Sequence, residues 1–229
     1  MFVIPCKYQS QFSFIFECVD SIIKFHPEEK ISIIDSCSDD KSYFNIIKEK
    51  PNVLLCDINN VNYEIGALWY AYKNFSGESH YILVHDSFII KKSLSQFIEH
   101  NKSVAMMYFD EDINTSITHF PRFNYVGEAK AIMSKTSYVF NDKVNGLLGT
   151  MGIYSLDLIK RFDKKGLINA FVPKNKFDSQ MGERIIGMCA AQEGVNFQFN
   201  NIEGNYMQRV NDTIGDNLEF FTKRFPIRK

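Results

Sequence analysis

Two aspartates stand where short apolar runs end: Asp35, followed by Ser36-Cys37-Ser38-Asp39-Asp40, and Asp86, within Val84-His85-Asp86-Ser87-Phe88. A carboxylate released at the end of a parallel strand faces the crevice in which open α/β sheets hold their ligands. It can equally cap the next helix through its side-chain oxygens. For Ser38 and Asp39 both readings stand. For Asp86 a cap of the helix near Ser93 would have to cross six intervening residues, so a ligand contact is the better fit. The turn after the first apolar run, Pro5-Cys6-Lys7-Tyr8-Gln9-Ser10, contains no glycine. That argues against a dinucleotide fold, a phosphate-binding loop of the Gly-Lys-Ser/Thr kind, a glycine-rich sugar nucleotidyltransferase and a methyltransferase.

The elements that would place these acids alternate along the first half of the chain. Strands are predicted at 2–5, 30–35, 53–57, 81–85 and 103–109, with helices at 12–25, 40–48 and 63–75 between them. The strand runs are uniformly apolar, which fits a parallel sheet covered on both faces. From 110 to about 145 the pattern weakens into loop, short strands or an insertion. A strand-like run at 147–154, helices at 156–162 and 179–192, and a stop at Gly194 follow. The tail, Lys223-Arg224-Phe225-Pro226-Ile227-Arg228-Lys229, reads as irregular and basic.

The 229 residues carry 26 Lys and Arg against 27 Asp and Glu, a net charge of −1, and 45% of them are hydrophobic. Near-neutral charge supplies no field to gather nucleic acid, so any phosphate recognition must be local. Cys6, Cys18, Cys37, Cys56 and Cys189 are scattered, with no spacing that suggests zinc or a disulfide framework. No run approaches a membrane span, so the expectation is a cytoplasmic chain, with peripheral surface contact open to the basic tail.

Taken together, the stations after strands one, two and four resemble the nucleotide-sugar domain of GT-A glycosyltransferases, the family 2-like group in particular. The second station matches that group at Asp35, Ser38 and Asp40 but lacks its glycine. Gly66, Ala71, Gly77-Glu78 and Tyr81-Ile82-Leu83-Val84 match further, over roughly the first 100 residues. The family's Asp-x-Asp is reduced here to His85-Asp86-Ser87.

The resemblance implies an α/β fold: one GT-A-type domain over 1–229 with a mostly parallel central sheet flanked by helices. A nucleotide-sugar half would cover about 1–109 and an acceptor half about 110–229. It implies transfer of a hexosyl or deoxyhexosyl group from a nucleoside diphosphate sugar such as a UDP-sugar to a glycan hydroxyl, with inversion. Pro5, Lys7, Tyr8, Asp35, Ser36, Gly66, His85, Asp86 and Ser87 would contact the donor, Tyr8 and Asp35 at the base. Asp86 would hold Mn²⁺ or Mg²⁺ against the diphosphate. For His85, ligation and satisfaction within the sheet both stay open, as do base stacking and packing for Tyr8.

Counting back from Gly194, the family's catalytic base falls on Glu183, with Asp178 as the substitute and Gly182 at the partner position. A helix-surface acid favoured by the dipole is the alternative for Glu183. Gly149-Thr150-Met151-Gly152 resembles the family's small-residue strand before the acceptor helix, or marks a bulge. Without a metal, Lys7 or the basic tail would have to stabilise the leaving group. The other class of function is a non-catalytic nucleotide-sugar-binding domain.

Overall fold

The computed structural model describes residues 1–9, 13–98, 103–112, 125–195, 197, 213–214 and 220–224. The chain opens β1 (Phe2–Cys6), α1 (Ile15–Phe25), β2 (Ile31–Asp35), α2 (Tyr43–Ile47), β3 (Val53–Cys56), α3 (Tyr63–Asn74), β4 (His80–Leu83). It continues β5 (Phe88–Ile90), α4 (Ser95–Ile98), β6 (Val104–Ala105), β7 (Tyr108–Asp112), α5 (Tyr125–Met133) and β8 (Lys143–Leu147). A short 3₁₀ turn (Leu148–Thr150) leads into β9 (Gly152–Ser155), α6 (Leu156–Lys164), α7 (Leu167–Ala170), α8 (Lys176–Gln192), β10 (Thr213–Ile214) and β11 (Phe221–Arg224).

Six strands form the main sheet in the order β3-β2-β1-β4-β9-β6. The first four run parallel, and β9 is antiparallel to both β4 and β6. The expected mostly parallel α/β sheet is therefore present. Its strands are apolar throughout because both faces are covered: in β1, Phe2, Ile4 and Cys6 pack into one core, while Val3 packs into the other. On the first face lies α1, which buries Ile15, Cys18, Val19 and Ile22 at helical spacing. On the second lie α3 and α8, with Leu68, Trp69, Ile185 and Ile186 in the core.

Three sequence expectations change in detail. The strand at 103–109 divides at buried Met106 and Met107 into β6, on the edge of the main sheet, and β7, which pairs antiparallel with β8. The run at 147–154 cannot be one strand, because Gly149 (φ 55°) and Thr150 (φ 52°) are both left-handed and turn the chain between β8 and β9. The tail is not irregular where it is described: β11 pairs antiparallel with β5, with Lys223 opposite Phe88, and Phe221 stacks on Phe88 at 4.4 Å. In the weakly patterned stretch 110–145, the described residues hold the end of β7, α5 and the start of β8. Arg228 and Lys229 lie outside the described residues.

Helix α8 reaches the sheet side closely because two of its positions are glycines. A Cβ on Gly187 would stand 1.8 Å from the Asn145 carbonyl oxygen of β8, and one on Gly182 would stand 2.3 Å from Ile65 Cδ1 of α3. Glu183, next along, is thereby held against the turn that precedes β9.

Candidate functional site

Strand order reverses direction beside β1: β2 and β3 follow on one side, β4 on the other. Parallel sheets bind ligands beyond the strand C-termini at such a switch point, here the gap between Cys6 and the His85-Asp86-Ser87 turn. The two sides touch, since the Cys6 thiol donates to Asp86 Oδ2 at 3.7 Å. Pro5 is half-buried, Lys7 exposed and Tyr8 half-buried on the rim.

One side of the gap is built around Asp35. Its carboxylate is fully buried, accepting from the Tyr43 hydroxyl on Oδ1 (3.0 Å) and from the Ser38 amide on Oδ2 (3.2 Å), with Lys41 Nζ at 3.8 Å. The phenol of Tyr43 is pushed well up by burial, so it remains a donor. Tyr8 stacks on the Tyr43 ring at 4.6 Å, and its amide donates to Ser38 Oγ at 2.8 Å. The Ser36 amide donates to the Cys6 carbonyl at 2.7 Å, and Ser36 Oγ accepts from Asn60 Nδ2 at 3.2 Å. Gly66 makes room for Asn60: a Cβ there would come within 2.6 Å of Asn60 Oδ1.

Tyr8, Asp35, Ser36 and Gly66 thus share one assembly. Asp35, expected to meet the ligand, accepts from Tyr43 on one carboxylate oxygen and from Ser38 on the other. The surface offered outward is that of Tyr8 and Lys7.

The other side is a polar cluster drawn from five segments. Lys223 of β11 is 4% exposed and donates from Nζ to His85 Nδ1 and to Ser87 Oγ, each at 2.7 Å. Because Nδ1 accepts from the ammonium, the imidazole proton belongs on Nε2, which lies 3.3 Å from Glu64 Oε1 of α3, off the line of a strong hydrogen bond. Glu64 Oε2 accepts in turn from Ser179 Oγ of α8 at 3.0 Å. Gly149 lies against the His85 ring so closely that a Cβ would stand 2.3 Å from Nε2, and its amide donates to Glu183 Oε1 at 2.7 Å.

Burial sets the electrostatics here. It raises the Glu183 carboxyl to about 7, against the lowering effects of the Gly149 amide and Arg184. Burial raises Asp86 as well, with Lys223 and His85 opposing it. It brings the Lys223 ammonium down to about 8, with Asp86 and Glu64 countering. For Glu64 burial also pushes upward, but the contact with His85 wins and holds it at about 2.

The expected metal site does not fit these residues. Among the described residues no group of three or more His, Cys, Asp or Glu is arranged to hold a cation. Asp86 is the one acid in its turn. The neighbours that would assist it, His85 Nδ1 and Ser87 Oγ, are both engaged by a lysine ammonium, which repels a dication strongly in a low-dielectric site.

The structure brings His85, Asp86, Ser87 and Glu183 into one region, with Lys223 among them. Asp178 is not part of it: Oδ2 accepts from the Lys174 amide at 2.8 Å, its own amide donates to Asn175 Oδ1, and it closes the first turn of α8. Five residues of helix separate it from Glu183 by about 140° around the axis. Glu64 is the residue that sequence reasoning missed. Its position two before Gly66 was the available signal, masked because an acid in a first helical turn also suits the dipole.

No family model and no curated protein matches the chain. Among solved structures, S. aureus TarS 1–349 in complex with UDP is similar at 16% identity and a TM-score of 0.46, over 78% of this chain and 52% of that one. The galactosyltransferase LgtC in complex with donor and acceptor sugar analogs overlaps at 10% identity and TM-score 0.40, over 73% and 61%. Glucosyl-3-phosphoglycerate synthase from Mycobacterium tuberculosis, in complex with Mn²⁺, UDP-glucose and glycerol 3-phosphate, overlaps at 10% and 0.36, over 85% and 80%. The chain spans about half the length of the TarS structure. Likeness at this level decides nothing about activity.

Proposed function

We propose that this chain is a GT-A-type glycosyltransferase that moves one sugar from a nucleoside diphosphate to a hydroxyl acceptor on a glycan, with inversion at the anomeric carbon. The observation that carries the reading is the placement of Glu183. A buried carboxyl held to about 7 stands beside the turn that packs on His85, at the switch point of a parallel sheet. A carboxylate with its pKa near the working pH is suited to take a proton from an attacking hydroxyl.

The donor's base would lie toward Tyr8 and its diphosphate toward the His85-Asp86-Ser87 turn. The acceptor hydroxyl attacks the anomeric carbon from the face opposite the diphosphate. As that C–O bond forms, its proton passes to Glu183 and the bond to the β-phosphate oxygen breaks, its electron pair leaving with the nucleoside diphosphate. The Gly149 amide fixes Oε1, and Oε2, 3.4 Å from Arg184 Nη1, would be the oxygen that takes the proton. Lys7, exposed on the rim, would meet the nucleotide as it enters.

The test is release of UDP or GDP from nucleotide sugars, with and without oligosaccharide acceptors. Turnover that is lost in Glu183→Gln, with nucleotide affinity kept, supports the reading. The reduction of the metal motif to a single acid, Asp86, favours a second reading: a nucleotide-sugar-binding domain without turnover. Tight nucleotide binding with no turnover across the donor panel would select that one.

A further inference from the structure

We infer that Glu64 is the positioning residue of this site: its one carboxylate ties down both supports of Glu183, the helix that carries the base and the imidazole beneath the glycine that holds it. The inference rests on the proposed glycosyl transfer, in which Glu183 takes the acceptor's proton, and names the group that keeps the base aimed.

The contacts close into a ring. Glu64 Oε2 accepts from Ser179 Oγ of α8 at 3.0 Å, and Ser179 stands one helical turn before Glu183, on the same face. Glu64 Oε1 lies 3.3 Å from His85 Nε2. Gly149 packs on that same imidazole, and its amide donates to Glu183 Oε1 at 2.7 Å. One path from Glu64 therefore reaches Glu183 through the helix that bears it, and the other through the amide that holds it. The neighbours of the two acids set the spacing: Ile65 of α3 meets α8 at Gly182, where a Cβ would stand 2.3 Å from Ile65 Cδ1. The side chains of Glu64, His85 and Glu183 keep 15%, 21% and 13% of their surface exposed, so the ring is open to solvent and not sealed in the core. A displacement of about 1 Å in a reacting group can cost on the order of 100-fold in rate, which is what anchoring both supports prevents. Glu64 itself changes no bond. Burial is what chiefly raises Glu183, and the charge of Glu64 adds to it, against the Gly149 amide, Arg184 and Lys176. Loss of that charge should therefore move Glu183 downward. His85 keeps its second anchor in either case, since Lys223 holds Nδ1.

The experiment follows release of UDP from UDP-glucose and UDP-N-acetylglucosamine, and of GDP from GDP-mannose, across pH. It compares the whole chain with Glu64→Ala, Glu64→Gln and Ser179→Ala, each rate referred to the folded fraction read by circular dichroism. Glu64→Ala should lose roughly 10- to 100-fold in kcat with the donor KM kept. Glu64→Gln keeps an acceptor for Ser179 and the same reach toward His85. It should recover most of that rate while its rising limb moves to lower pH, because the charge beside Glu183 is gone. Ser179→Ala, which cuts the α8 arm alone, should show a smaller loss in kcat. A residue that serves stability alone would move neither kcat nor the limb. An unaltered kcat and limb in Glu64→Ala, a raised KM with kcat kept, or a Glu64→Gln as slow as Glu64→Ala each overturns the inference while leaving glycosyl transfer standing. Should Glu64→Ala fail to fold, Ser179→Ala takes its place, and an unaltered kcat there overturns it. No turnover by the unaltered chain with any of these donors overturns both.

Discussion

The ammonium of Lys223 donates to Nδ1 of His85 across 2.7 Å, although the two residues lie 138 positions apart in the chain. That contact joins the sheet's switch point to a strand from the far end of the sequence, and through the imidazole it reaches Glu64. The charges around it make the following outcomes measurable.

Under the proposed transfer the rate should rise with pH through about 7, because Glu183 as the base would act only when ionised. The groups facing it are the Gly149 amide, Arg184, Glu64 and Lys176. Glu183→Gln should cost roughly 100- to 10,000-fold in kcat and remove this limb of the profile. A steady-state pH series on both proteins measures it. A variant that keeps the limb would assign it elsewhere.

The same carboxyl bears on stability. Its folded pKa lies above the ordinary 4.5, so the folded chain holds a proton that the unfolded chain releases between about 4.5 and 7. Stability from this group is full below that window and is lost as pH rises through it, on the order of 3 kcal/mol. Glu183→Gln should flatten the decline, as read from urea midpoints at pH 5 and pH 8.

Glu64 works in the opposite sense. Held at about 2 by His85, it contributes stability above the ordinary carboxylate value of 4.5 that disappears as pH falls toward 2. Glu64→Gln should therefore melt lower than the parent at pH 7, and the two melting temperatures should converge near pH 2. Equal melting at pH 7 would mean that the imidazole contact contributes nothing.

Gly149→Ala should be costly twice over. The left-handed φ of 55° alone costs about 1 kcal/mol or more for a residue with a Cβ. The added methyl would also meet the His85 ring. We expect a lower urea midpoint together with weakened nucleotide binding, whereas Gly77→Ala, with positive φ but open space around it, should lose stability alone.

Tyr43→Phe removes the donor to Asp35 Oδ1 and leaves a buried carboxylate oxygen short of a partner, a loss of about 1–3 kcal/mol. The ring that Tyr8 stacks on remains. An unchanged denaturation midpoint would show that Asp35 is not held as described.

Much of the sheet could be read from the chain because β1 to β4 are local apolar runs separated by helices of ordinary spacing. Asp86 and His85 were legible for the same reason: both stand at the end of a strand visible as an apolar run. What escaped is non-local. Residues 221–224 become a strand only by pairing with 88–90, and nothing in Phe-Thr-Lys-Arg announces that partner. Glu64 acquires its role only when α3 brings it beneath His85. The sequence places Asp35 at the strand end but does not say that Tyr43 and Ser38 will close over it.

The strand bearing Lys223 belongs to the small β10-β11-β5 sheet, not to the six-stranded one, whose members all lie between Phe2 and Ser155. A chain cut just ahead of Phe221 would keep every rung of that larger ladder, while uncovering Phe88 and removing the ammonium that bridges His85 and Ser87. The stretch that assembles the scaffold and the stretch that completes the polar cluster can therefore be parted with a single stop codon.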